Sequence, residues 1–173
     1  MAIKADYLGM PLNLDDLDAE NLAYFQHCAE HNFHLQQCEG CNLLRYPPTT
    51  ACPWCMSQNS KWEPVEGKGA VHSYTEVHHA IQPSFKGHTP YLVLLVDLDT
   101  QKGRPTEHEA LRVVGNLARP DGRLAPPELV RQVGIGTRVR MVFSDVAQGL
   151  ALPQWTTDEG IAQPAKAWRY PLE

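Results

Sequence analysis

Residues 38–55 read CEGCNLLRYPPTTACPWC, two Cys-x-x-Cys knuckles, Cys38-Glu39-Gly40-Cys41 and Cys52-Pro53-Trp54-Cys55, with ten residues between them. Four thiolates at that spacing can close a tetrahedron around one zinc ion. Such a site has no open coordination position, so it holds structure and leaves no place for a substrate. Two disulfides would use the same residues in a secreted chain. Residues 1–20, MAIKADYLGMPLNLDDLDAE, place acids where a secretory leader needs a cationic and then an apolar run. A single knuckle would suit a redox pair; two in series suit a metal. Structural zinc is therefore expected on Cys38, Cys41, Cys52 and Cys55, with iron the other metal that four sulfurs accept. Binding energies for such sites are on the order of 10 kcal/mol, so a ribbon stripped of metal is expected to be disordered.

On the N-terminal side, DLDAENLAYFQHCAEHN, from Asp16 or Asp18 to about His31, places Leu22, Phe25 and Ala29 on one stripe behind an aspartate N-cap. It reads as one amphipathic helix, too short to stand alone, so its stripe must lie on the rest of the protein or on another subunit. Cys28 falls beside the stripe and reads as a buried free thiol. Within the ribbon, Gly40 supplies a turn, Tyr46-Pro47-Pro48 breaks the chain, and Trp54 and Trp62 are expected to pack against it. An exposed tryptophan there would instead mark a docking surface.

On the C-terminal side the period changes to two. After Gly67-Lys68-Gly69, residues Ala70 to His78 alternate as a half-buried strand, and Tyr91 to Leu98 is apolar on both faces, as a central strand is. Leu111 to Leu117 is a third strand, with Gly115 marking a bulge or bend. A short helix follows over residues 126–133, then a fourth strand carrying Val139, Met141 and Phe143, and a fifth from Leu150 to Trp155. Three strands, a helix and two strands is the order of a five-stranded Greek-key OB barrel; an open antiparallel sheet or another small barrel is the rival. The fold class is thus mainly β, with an N-terminal α-helix, a four-cysteine zinc ribbon and a C-terminal five-stranded OB-fold barrel. The expected boundaries are 1–34 for the N-terminal helical segment, 35–66 for the ribbon, 67–157 for the OB fold and 158–173 for a C-terminal tail.

Composition narrows the function classes. The chain has 173 residues, is 43% hydrophobic and carries a formal charge of -5. Its basic residues form no cluster, which argues against nucleic acid, because phosphate neutralisation needs a basic face. No apolar run approaches the roughly 20 residues that span a bilayer. No membrane association and a cytoplasmic location are expected.

In order and spacing, several segments together resemble one known family: Leu35 to Cys41, Tyr46-Pro47-Pro48, Cys52 to Cys55, Gly67 to Val71, Pro90-Tyr91 and Ile135 to Val139. It is the family that joins an N-terminal helix, a rubredoxin-like zinc ribbon and an OB fold in one chain, long catalogued as a domain of unknown function associated with acyl-CoA. Asn42 stands where that family commonly has glycine, and it tolerates the left-handed turn. The resemblance implies a companion subunit in a hetero-oligomer with a thiolase-superfamily enzyme that makes or breaks carbon-carbon bonds on acyl-CoA thioesters. Aromatic degradation and the aldolases of steroid side-chain breakdown are settings it implies. There the partner carries the catalytic cysteine and histidines, and the OB subunit supports assembly and helps enclose the CoA ester.

Catalysis by this chain alone would need its histidines or Cys28, with His78, His79 and His88 near the Phe85-Lys86-Gly87-His88 loop the candidates. Nothing in their spacing organises a nucleophile, a base and an orienting partner. For acyl-CoA contact, Phe85, Lys86 and Tyr91 are the candidates, since their loop offers an aromatic face and a cation to an adenine or a phosphate. Asp97, Asp99, Glu107 and Glu109 read as solvated edge charges. The other classes left open are a single-stranded nucleic-acid-binding ribbon/OB module and a free-standing enzyme acting on a CoA ester.

Overall fold

A computed structural model describes residues 2–16 and 18–170. It opens with a hairpin that the helical reading of the N-terminal segment did not contain: β1 (Ile3–Tyr7) against β2 (Met10–Leu14). Leu8 and Gly9 both have positive φ, the twist that a two-residue hairpin turn requires, and the Gly9 N–H donates to Asp6 Oδ1 at 2.7 Å. Alternation of Ile3, Ala5 and Tyr7 was the available signal. A Leu-Gly turn, however, lacks the Asn or Asp that usually announces one.

Helix α1 (Ala19–Ala29) is capped by Asp18, whose carboxylate accepts from the Asn21 N–H at 3.2 Å. Its buried face is Tyr24 and Cys28, one turn apart, while Phe25 and Ala29 are half-buried beside them. The stripe expected through Leu22, Phe25 and Ala29 is therefore turned so that Tyr24 and Cys28 face the core. Tyr24 meets Phe33 edge-on at 6.3 Å and Tyr46 at 5.9 Å, which places the helix where ribbon and barrel join.

The ribbon is a three-stranded antiparallel sheet of β3 (His34–Cys38), β4 (Leu44–Arg45) and β5 (Ser60–Pro64), in the order β4-β3-β5. Beyond it come β6 (Lys68–Val77), a 3₁₀ turn (Pro83–His88), β7 (Tyr91–Leu98), β8 (Arg112–Asn116), α2 (Pro127–Val130), β9 (Arg138–Ala147) and β10 (Leu150–Thr157). Their order is β10-β9-β6-β7-β8. A parallel bridge from Leu117 to Trp155 joins the two ends, with the Ala118 N–H donating to the Trp155 carbonyl at 2.7 Å. Five strands with the first paired to both the second and the fourth, and a helix between the third and fourth, form an OB barrel.

Bulges fall at His72 in β6 and at the start of β10, not at Gly115, where the β7–β8 register is continuous. Gly115 serves close approach instead. A Cβ there would lie 2.9 Å from Trp155 Cδ1 and 3.1 Å from the Pro153 carbonyl. Trp155, fully buried, fills the space behind the closing strand.

One apolar cluster runs through all three parts, from Tyr24, Cys28, Phe33, Leu35 and Leu44 to Leu94, Val96, Val113, Val139 and Trp155. A second clasp joins ribbon to barrel: Gln101, in the β7–β8 loop, accepts from the Leu44 N–H at 2.6 Å and donates to the Leu44 carbonyl at 3.0 Å. The segment after β10 returns along the barrel. Trp168 pairs with Ile135, and Arg169 donates to the carbonyls of Val130 and Val133 and pairs with Glu76.

Candidate metal centre

The two knuckles repeat one turn. In the first, the Asn42 N–H donates to the Cys38 carbonyl at 2.9 Å with Asn42 at φ +60°; in the second, Met56 does the same to Cys52 at 2.9 Å with φ +63°. Gly40 turns its N–H onto Cys38 Sγ at 3.3 Å. These turns bring the sulfurs of Cys38 and Cys55 to 3.5 Å and those of Cys41 and Cys52 to 3.6 Å, with all four within 4.8 Å of one another. All four are free thiols. A tetrahedron with metal–sulfur bonds of about 2.3 Å has edges of about 3.8 Å, so the donor set fits one ion. Cys38 and Cys52 are buried and Cys55 is exposed, so the cluster has one side in the core and one at the surface.

Proton affinities within the cluster diverge. The Cys41 amide, with that of Gly40, draws the Cys38 thiol down to about 6 against the opposing effect of burial. At Cys41 the Leu43 amide acts downward too, but burial and hydrogen bonding to the Cys52 and Cys38 sulfurs carry it up to about 12. Neighbouring sulfurs therefore share protons, and a cation that neutralises them displaces those protons on binding.

A polar network fixes the loop that delivers Cys52. Arg45 is 3% exposed; its Nε donates to Gln36 Oε1 at 2.9 Å and its Nη2 to the Thr49 carbonyl at 2.8 Å and Ser60 Oγ at 3.1 Å. Gln36 Oε1 also accepts from the Thr49 N–H at 2.9 Å, and the Thr49 hydroxyl donates to the Ala51 carbonyl at 2.9 Å. Nothing in LLRY marks that arginine as buried. Its partners come from sheet register, which sets Gln36 opposite Arg45.

Other candidates fare differently. Cys28 is fully buried and its thiol is pushed up to about 12 by burial, as a packing thiol is. Trp62 is half-buried against the core and 5.3 Å from the His27 ring. Trp54, expected to pack, is 45% exposed at the tip of the second knuckle, because a knuckle turn this tight points its middle residues outward.

Phe85 is buried in a second small cluster, its ring 5.8 Å from Tyr7 and 5.3 Å from Tyr91, so it offers no open face to a base. Lys86 beside it is exposed and Tyr91 is half-buried. The histidines are dispersed: His31 meets Asp145 at 2.7 Å, His72 meets Asp97 at 3.1 Å, and His78 meets Glu76 at 3.4 Å. His78 and His79 lie just past β6, both exposed, and His88 is exposed at the end of the 3₁₀ turn. Asp97 and Asp99 are not bare edge charges. Asp97 accepts from Arg112 Nε at 2.7 Å, and Asp99 takes both terminal nitrogens of Arg138.

Comparison with known proteins fits this geometry. Residues 62–144, from the end of the ribbon through most of β9, match the family model described as the ChsH2 C-terminal OB-fold domain. A solved structure described as an Ltp2-ChsH2(DUF35) aldolase contains a chain 28% identical to this one, at a TM-score of 0.63; the match covers 83% of this chain and 98% of that one. Over these residues the chain is similar to the ChsH2/DUF35 OB-fold family. A DUF35 protein of unknown function from Sulfolobus solfataricus, 12% identical over 79% of this chain and 83% of its own at a TM-score of 0.47, is too distant to add to that. A probable enoyl-CoA hydratase alpha subunit from Thermomonospora curvata is 35% identical over 139 residues, 79% of this chain. The chain spans 37% of that relative's length. No helix among the described residues is long and apolar enough to cross a membrane.

Proposed function

We propose that this chain is a DUF35-type, noncatalytic zinc-ribbon/OB-fold subunit of a hetero-oligomeric complex that processes acyl-CoA thioesters. The catalytic groups then belong to a partner of the aldolase or hydratase type. A member of the thiolase superfamily acting on carbon-carbon bonds is the finer assignment. The observation that carries this reading is the match over nearly the whole length of a ChsH2(DUF35) aldolase chain. The Thermomonospora curvata hydratase subunit supports the acyl-CoA setting.

In this reading Cys38, Cys41, Cys52 and Cys55 hold zinc as a structural cross-link, since four thiolates leave no position for substrate. Their work is to fix the second knuckle, and with it the ribbon, against the barrel. Lys86 and Tyr91 remain the proposed acyl-CoA contacts on the barrel rim, with Phe85 packing beneath them to hold the loop. The 1–34, 35–66, 67–157 and 158–173 division stands as a proposal for limited proteolysis to check.

Copurification from the native host, followed by mass spectrometry and an acyl-CoA cleavage or hydration assay with and without this chain, tests the assignment. Recovery of a stoichiometric catalytic partner whose activity falls when this chain is omitted is the expected result. If the purified chain turned over a CoA ester alone, or if no such partner appeared, the subunit reading would fall.

A further inference from the structure

A cleft of about 220 Å³ opens between the ribbon and the barrel. Arg45, Tyr46 and Trp54 line it from the ribbon, and Arg104, Glu109 and Arg112 from the barrel. Its charges are unevenly satisfied. Arg112 is neutralised by Asp97, whereas Glu109 accepts the Thr106 hydroxyl at 2.8 Å and keeps its negative charge.

Among the described residues Arg45 has no carboxylate partner: its three side-chain hydrogen bonds go to neutral oxygens, and its Nη1 is buried without a partner. A guanidinium is never deprotonated, so a full positive charge is held in the wall of the cleft with no carboxylate bonded to it. Coulomb attraction at such a site is several-fold stronger than in water, and it acts on an anion lodged above without direct contact. Arg104 stands exposed on the barrel side of the same cleft. The half-exposed Trp54 indole adds a flat apolar face. Arg45, Arg104 and Arg112 against Asp97 and Glu109 leave one net positive charge beside an aromatic wall, in a chain of net charge -5.

We propose that this cleft is an oxyanion site that takes a phosphate-bearing small molecule. Arg45 provides the field from below, Arg104 contacts the phosphate oxygens from the rim, and Trp54 stacks on a flat group attached to the phosphate. The site is built rather than incidental, because the network that holds Arg45 also holds Thr49 and Ala51, the residues leading into Cys52. It lies apart from the rim of Lys86 and Tyr91 and does not depend on the subunit assignment above.

Phenyl phosphate is the probe: a phosphate monoester with one flat ring and little affinity for the metal. It is titrated into the full metal-loaded chain at low ionic strength, following the Trp54 indole N–H and the arginine Nε–H signals by NMR. Saturable shifts at Trp54 and Arg104 are expected. Arg104→Glu should weaken binding by about tenfold or more, because it replaces a charge-assisted contact with repulsion. Arg45→Gln should weaken it as well. Since that change can loosen the ribbon, Arg104→Glu and Trp54→Ala, both at exposed positions, carry the decision. Lys166→Ala, beside a separate cavity under the C-terminal segment, should leave binding unchanged. Shifts scattered over other basic residues, or an undiminished affinity in Arg104→Glu, would overturn the proposal. So would tighter binding of benzoate than of phenyl phosphate, which would assign the cleft to a carboxylate.

Discussion

Inside the barrel the contacts are between Leu94, Val96, Val113, Leu117, Val139 and Trp155, all fully buried and apolar. The ribbon, at the other end of the same core, contributes Leu35, Leu44 and Val65, with Tyr46 and Trp62 partly buried against them, and also turns inward sulfur and polar groups: Cys38, Cys52, Gln36 and Arg45. A small sheet that buries so little hydrocarbon cannot offset its own chain entropy, whereas the barrel can. The difference teaches where each part draws its stability. The ribbon depends on a cross-link and on exact hydrogen-bond register, and the barrel depends on area removed from water.

The sharpest way to break that contrast is to remove a ligand. Cys38→Ser or Cys55→Ser should release the metal and melt the ribbon, a loss on the order of 10 kcal/mol of binding energy, while the barrel's amide signals persist. Elemental analysis with NMR checks it, and unchanged metal content in both variants would contradict the four-thiolate site. Trp155→Ala is the converse. It empties the barrel's largest buried side chain and should cost about 3–5 kcal/mol in denaturant unfolding, with metal still bound in the folded fraction.

Smaller in effect, Gln101→Ala removes both hydrogen bonds of the clasp on Leu44 and should cost about 1–2 kcal/mol. Its signature is that the ribbon melts before the barrel; a single unchanged transition would mean that the shared core alone couples them.

The smallest expected effect is a pH dependence. Hydrogen bonding from Arg138 holds the Asp99 carboxyl below its ordinary 3.8. A carboxyl lowered in the folded state adds stability that is present above the unfolded value and lost as pH falls through the folded one. Asp99→Asn should therefore remove a small stabilisation at neutral pH, the Asp99 side chain being exposed, and the difference from wild type should fade below about pH 4.

Much of this was legible in the chain itself. Cysteine spacing alone announces the metal cluster, and alternation with turn residues lays out the barrel strands in order. What stayed hidden shares one physical cause, that burial is decided by neighbours distant in sequence. Leu-Gly at positions 8 and 9 carries no strong turn signal, so the first hairpin was missed. Phe85, Lys86 and Tyr91 read as an open loop, but Tyr7 of the unforeseen hairpin covers the Phe85 ring. Gly115 looked like a bulge because glycine in a strand often marks one, while its reason here is the ring of Trp155 forty residues on. Trp54 has the composition of a packing residue, and only the geometry of the knuckle turns it outward.

By itself, then, the amino-acid sequence determined the two knuckles, the apolar period of each strand and the order that makes an OB barrel, because each of these is a local pattern of residue types. Tertiary structure alone decided which face of the helix is buried, where the bulges fall, and that one core unites helix, ribbon and barrel. It also decided that Arg45 is buried in the ribbon with no carboxylate bonded to it among the described residues. Those are outcomes of register and packing between segments far apart in the chain, and no local pattern encodes them.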